Sequence, residues 1–131
     1  MKMVNIDLLT DKELLNTRVC DLHLSLKSSS LMKGINKLFF ELNDKLINFH
    51  PHIWLGDDWF SPDGVAGFSI PFYLSHPRLI ELEKKNIGFV EGVNFNSFLK
   101  LLRHETAHAL DNAFHLRKNK QRQLLFGLTT Q

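Results

Sequence analysis

Cysteine is almost absent from this sequence. Cys20 is the only cysteine among 131 residues, so the chain cannot form an intramolecular disulfide. A zinc site built from several thiolates is excluded for the same reason. A lone cysteine is more often a small apolar residue than a nucleophile, and we assign Cys20 no catalytic role.

Long apolar runs are also missing. No stretch approaches the roughly 20 residues that a membrane-spanning helix needs. The first ten residues mix Lys2, Asn5 and Asp7 into the apolar ones and lack the core of a signal peptide. We therefore expect a cytoplasmic protein with no membrane partner.

Negative charge is missing from the C-terminal end. No acidic residue follows Asp111, whereas cations crowd together at Arg117, Lys118, Lys120 and Arg122. A solvated helix end explains this cluster, because cations suit the negative pole of the helix dipole. A nucleic-acid patch is the alternative. A net charge of +2 and one short cluster do not favour it, so we expect no nucleic-acid partner.

The composition is that of one folded domain. The apolar fraction is 44% and the charged fraction 23%, which are ordinary values for a globular protein. A chain of 131 residues is long enough for a single hydrophobic core. We therefore expect one domain rather than two.

Local patterns predict the order of the elements. Thr10 and Glu13 fit a capping box at the start of the first helix. Apolar residues at helical spacing indicate a second helix, and alternation of apolar and polar residues indicates a first strand. Gly67 and Pro71 interrupt the last predicted strand. Because a proline inside a strand is tolerated mainly at the edge of a sheet, we expect this strand to be an edge strand. Helices are predicted from Thr10 to Asn16, Leu31 to Phe49, Pro77 to Asn86 and Asn94 or Asn96 to about Gln123, and strands at Arg18–Leu26, His52–Leu55 and Val65–Leu74.

The motif that carries chemistry is the run His-Glu-Thr-Ala-His at residues 104–108. Residues four apart lie on one face of a helix, so His104 and His108 can direct imidazole nitrogens at one metal ion. Glu105 projects about 100° round the helix, beside a water held by the metal rather than on the metal itself. This arrangement is typical of zinc-dependent hydrolysis with the glutamate as general base. Two surface histidines on an amphipathic helix are the alternative.

Two histidines leave a catalytic zinc ion one protein ligand short. The metzincin pattern fails, because Asp111 and Phe114 stand where it needs a glycine and a ligand. His115 lies roughly 16 Å along the helix from His104, out of reach. These 131 residues cannot supply a glutamate from a later helix, because no acidic residue follows Asp111. The remaining sources are a partner chain, a C-terminal segment that this sequence does not contain, which we favour, or one of His50, His52 and His76.

Two longer runs make the sequence resemble a known family. They are WFSPDGVAGFSIPFYLSHPRL at residues 59–79 and LRHETAHALDNA at residues 102–113. Both are similar to a family of bacterial zinc-binding metallopeptidases of gluzincin-like type, and the likeness covers about residues 21–127. The resemblance implies an α+β, zincin-like fold, with a small, mostly antiparallel sheet packed on helices and the motif on the last long helix. It also implies zinc (Zn2+) as the cofactor, His104 and His108 as its ligands, Glu105 as general base, and a peptide or protein as substrate.

The sequence departs from that family at its end. Family members continue past this helix with an acidic segment that carries a third, glutamate ligand, and this sequence stops before it. We expect residues 1–131 to be one zincin-like domain that lacks its C-terminal part. The leading function is zinc-dependent hydrolysis of peptide or amide bonds, with Glu105 as base. The alternative is a catalytically silent, truncated domain that acts by binding.

The roles of Asp111 and Tyr73 each have two possible interpretations. Asp111 lies three residues after His108, where it can accept a hydrogen bond from a ligating histidine or pair with His115. In zincin-like folds an edge strand lies above the active helix, and an extended substrate can add to it. The strand Val65–Leu74 would then hold Tyr73 near the site as an oxyanion donor, although a packed aromatic is favoured.

Overall fold

The computed structural model describes residues 5–27 and 29–114. These residues form α1 (Asp11–Leu15), α2 (Met32–Asp44), β1 (His52–Gly56), β2 (Gly67–Pro71), α3 (Pro77–Ile87) and α4 (Phe95–Phe114). Short 3-10 turns lie at Ile6–Leu8, Val19–Leu22 and Phe72–Ser75. The α+β class is thus confirmed, and α4 carries residues 104–108. Of the helices just given, none has the length and hydropathy that crossing a bilayer requires.

The short helices α1 and α3 begin where local signals predict. Thr10 Oγ1 accepts a hydrogen bond from the Glu13 backbone N–H, and Glu13 Oε1 accepts one from the Thr10 N–H, so the capping box is confirmed. Pro77 lies in the first turn of α3, and Gly88 ends that helix with a left-handed φ of 81°. These boundaries depend on neighbouring residues alone, which explains why the sequence predicts them.

The long helices match the prediction less closely. Helix α2 ends at Asp44 rather than at Phe49, because Leu46 takes a left-handed φ of 59° with 91% of its surface exposed. The predicted start of α4 is confirmed, since Asn94 Oδ1 accepts a hydrogen bond from the Ser97 N–H at 2.8 Å. Its predicted end, near residue 123, lies outside the described residues.

The strand predicted at Arg18–Leu26 is wrong. A 3-10 turn occupies Val19–Leu22, and His23 ends it in the left-handed region with a φ of 51°. The apolar residues of this segment pack into two separate clusters rather than against one face of a sheet. Leu26 packs against the main core, whereas Leu22 belongs to a small N-terminal cluster with Ile6, Leu14 and Leu79.

Strands β1 and β2 are parallel, in a register that sets His52 opposite Gly67. The prediction of a mostly antiparallel sheet is therefore wrong for this pair. The loop 57–66 passes to the far side of β2, where Phe60 and Ser69 form an antiparallel bridge with N–O distances of 3.4 and 2.8 Å. Strand β2 is the last strand of the two-stranded sheet that it forms with β1. The bridge to Phe60 covers its outer edge at Ser69, and all of its residues are buried.

The main core lies between α2, β2 and α4. Helix α2 lies close to α4 at Gly34, where an added Cβ would lie 2.6 Å from Cε2 of Phe98. The Phe98 ring is in turn held against Trp59, with ring centres 5.7 Å apart. This close contact sets the distance between the two helices. The fully buried apolar side chains of the core include Leu38, Phe68, Ile70 and Leu102.

We predict that Gly34→Ala lowers the free energy of unfolding by about 1–3 kcal/mol, because the new methyl group overlaps Phe98. This loss opposes the roughly 1 kcal/mol by which alanine favours a helix over glycine. Urea titration followed by circular dichroism measures it. Asn36→Ala, at an exposed position of the same helix, is the control and should not lower stability. A gain in stability in both variants would contradict the close helix contact.

Candidate metal centre

The motif histidines lie side by side on α4, as predicted. His104 is exposed and His108 is half-buried, and their ring centres are 4.9 Å apart with an angle of 80° between the planes. Two imidazoles on one tetrahedral zinc ion, with Zn–N bonds of about 2.0–2.1 Å, have ring centres about 5 Å apart. Neither ring is hydrogen-bonded to any side chain in residues 5–27 or 29–114. The pair therefore fits one shared metal ion.

Glu105 lies at the border between the open and buried faces of α4. Only 8% of its surface is exposed, and the core residues Leu102 and Ala109 stand one helical turn to either side of it. Its carboxylate makes no hydrogen bond or ion pair with the described part of the chain. Although the residue is largely buried, its two carboxylate oxygens still reach solvent. The lone pairs of this carboxylate are thus open to a proton or a ligand.

The three histidines that precede α4 and were considered as third ligands make contacts away from the motif. His50 Nε2 lies 3.1 Å from Asn43 Oδ1, and its ring stacks on Phe39. His52 stacks on Trp54. His76 caps α3, where its Nδ1 accepts a hydrogen bond from a backbone N–H. Within the described ranges no three His, Cys, Asp or Glu side chains are grouped to hold a metal, so none of these histidines completes the site.

Asp111 and Tyr73 differ in how they relate to the motif. Asp111 is buried on α4, and its role beside a ligating histidine stays a prediction. His115 and the cationic cluster near the C-terminus lie outside the described residues.

Tyr73 packs between the main core and the N-terminal cluster. Burial raises the pKa of its hydroxyl, and the charges of Glu83, Asp58 and Glu91 raise it further. These carboxylates are not part of the motif. The surroundings of Tyr73 therefore favour a packing role over that of an oxyanion donor.

Two contacts that the sequence analysis did not find attach α4 to its neighbours. Arg103 forms a bidentate ion pair with Glu41 of α2, at 3.0 Å from Nε to Oε1 and 2.6 Å from Nη2 to Oε2. Asn112 donates from Nδ2 to the carbonyl oxygens of Pro62 and Val65, at 3.0 and 3.1 Å. Helical spacing from the motif is the only sequence signal for either residue, because the partners lie 47 to 62 positions away.

Comparisons with protein-family models, with curated proteins and with solved structures give no match to this chain. The metal, the base and the family are therefore inferred from residues 104–108, from their geometry and from the resemblance of the two longer runs.

The Arg103 ion pair gives stability a dependence on pH. A hydrogen bond from Arg103 holds the pKa of Glu41 below its ordinary value of 4.5, against the opposite effect of burial. Because the folded pKa is the lower one, the contribution is fully present above pH 4.5 and is lost as the pH falls through the folded value.

We predict that Glu41→Gln lowers the free energy of unfolding near neutral pH by about 1 kcal/mol or less, as expected for a partly exposed pair. The difference from wild type should shrink as the pH falls below 4.5. Urea titrations from about pH 7 to about pH 3 measure it. Glu91→Gln, at an exposed position that forms no ion pair with the described residues, is the control. A difference that stays constant over this pH range would contradict the ion pair.

Proposed function

We propose that this chain is a zinc-dependent metallopeptidase that hydrolyses peptide or amide bonds. One observation carries the proposal. His104 and His108 hold their rings 4.9 Å apart, beside a buried Glu105, and none of the three is hydrogen-bonded to the part of the chain that the structure describes. The imidazole nitrogens and the carboxylate oxygens of this group are therefore available to a ligand.

The proposed cofactor is zinc, held by one imidazole nitrogen from each of His104 and His108. When bound, zinc lowers the pKa of a water ligand and polarises the carbonyl group of a substrate. The histidine pair also suits nickel or copper, so the identity of the metal has to be measured.

Glu105 is the proposed general base. Its carboxylate accepts a proton from the water that attacks the substrate carbonyl carbon, and returns that proton to the leaving amine as the C–N bond breaks. The side chain is largely buried beside Leu102 and Ala109, while its carboxylate oxygens still reach solvent, where a water can meet them. Because no described side chain hydrogen-bonds to Glu105, none competes for the proton.

The proposal extends to family and fold. The runs at residues 59–79 and 102–113 support membership of the bacterial zinc-binding metallopeptidases and a zincin-like fold. In residues 5–27 and 29–114 the ligand set is incomplete. We therefore propose that the third ligand comes from a group outside these ranges, on a segment beyond α4 or on a partner chain. The proposed substrate is a peptide or protein.

A catalytically silent domain that acts by binding is the second candidate. The observation that favours it is the lack of any three-ligand group in the described ranges. On this alternative the histidine pair is a weak metal site, and Glu105 takes no part in turnover. The two candidates differ in what a change at Glu105 does.

We predict that Glu105→Gln keeps zinc but lowers hydrolysis by about 100-fold to 10,000-fold, because the carboxamide keeps the shape of the side chain and cannot accept the proton. Elemental analysis measures zinc, and fluorescein-labelled casein is the probe for hydrolysis. Glu81→Gln on α3 is the matched control and should change neither. Equal turnover in Glu105→Gln and wild type would contradict the role of base. A wild-type chain that holds zinc but cleaves nothing would favour the binding domain.

A further inference from the structure

One side chain ties α4 to the turn that precedes β2. Asn112 Nδ2 donates to the carbonyl oxygens of Pro62 and Val65, at 3.0 and 3.1 Å. These carbonyls stand at the two ends of a single turn, which the Val65 N–H closes by donating to Pro62 O at 3.1 Å. Gly64 supplies the positive φ of 78° inside the turn. One amide group therefore holds both ends of the turn 62–65.

The turn lies on the side of α4 that carries the proposed base. Asn112 comes seven residues after Glu105, and seven residues rotate a helix to within about 20° of two full turns. Both side chains therefore leave α4 along nearly the same line, roughly 10 Å apart along the axis. Arg103 leaves on another side, where it meets Glu41 of α2.

The turn is also fixed to the sheet. Phe60 pairs with Ser69 across the backbone, and Ser61 Oγ donates to Gly67 O at 3.2 Å. Gly67 lies so close to β1 that an added Cβ would collide with the carbonyl oxygen of His52. The chain from residue 60 to residue 69 is thus attached to β1 at one end and to α4, through Asn112, at the other.

We propose that Asn112 is a positioning residue, which holds the turn 62–65 beside the face of α4 that carries His104 and His108, as a wall on the side where Glu105 acts. This inference rests on the proposed function. A peptide that lies across the two imidazoles meets this wall, which keeps its carbonyl group within reach of Glu105. A displacement of about 1 Å in such a contact can cost about 100-fold in rate.

The first test measures the wall itself, by amide hydrogen exchange at Val65 and Ser69. Asn112→Ala removes both hydrogen bonds and should accelerate exchange at these amides by about tenfold or more. Asn112→Asp keeps the size of the side chain but presents a carboxylate to two carbonyl oxygens, so it should be at least as impaired. Asn36→Ala on α2 is the control, and the Gly88 amide, bonded to Lys84 O at 2.7 Å, is the reference site in every variant.

The second test separates positioning from metal binding. Asn112 is not a proposed ligand, so both Asn112 variants should hold as much zinc as wild type, with an affinity within about twofold in competition with a chelating dye. Cleavage of fluorescein-labelled casein should fall by about tenfold or more, because the wall no longer fixes the substrate.

Five outcomes would overturn the inference. Unchanged exchange at Val65 and Ser69 would show that Asn112 does not hold the turn. A wild-type result for Asn112→Asp would show that the amide donor is not what matters. A zinc affinity that falls in step with cleavage would place Asn112 in support of the metal site instead. Full casein cleavage in both Asn112 variants would overturn positioning alone, whereas an inert wild-type chain would overturn the proposed function together with it.

Discussion

The burial of one stripe of α4 against α2 and β2 is the constraint on which the candidate centre depends. Phe98 and Leu102 fill the main core from this helix, and burying each contributes about 1.5–3 kcal/mol. Gly34 lets α2 come close enough to complete the contact. This packing fixes the rotation of α4 about its own axis. That rotation decides which residues face outward, and it leaves His104 exposed and His108 half-buried.

The same rotation gives Glu105 an unusual position. Its side chain is largely buried, whereas its carboxylate oxygens reach solvent and no described residue hydrogen-bonds to them. On either side of the motif α4 is held by a polar contact, with Arg103 bound to Glu41 of α2 and Asn112 bound to the turn 62–65. The face of α4 that carries His104 and His108 lies between these two contacts, because Arg103 and Asn112 leave the helix on different sides.

The parts of the fold that follow from neighbouring residues could be predicted from the sequence. The capping box of α1, the proline and glycine that bound α3, and the pairing of His104 with His108 all depend on short spacings. The parallel direction of β1 and β2 could not be predicted, because it depends on the loop 57–66 crossing β2. The partners of Asn112 could not be predicted for the same reason, since they lie 50 and 47 positions away.

The zinc content of the purified chain, beside that of His104→Ala, tests the central claim most directly. His50→Ala is the matched control, because His50 binds Asn43 and stacks on Phe39 away from the motif. The account predicts equal zinc, up to about one ion per chain, in wild type and in His50→Ala, and almost none in His104→Ala. Equal zinc in all three proteins, or none in any of them, would contradict a metal centre built on His104 and His108.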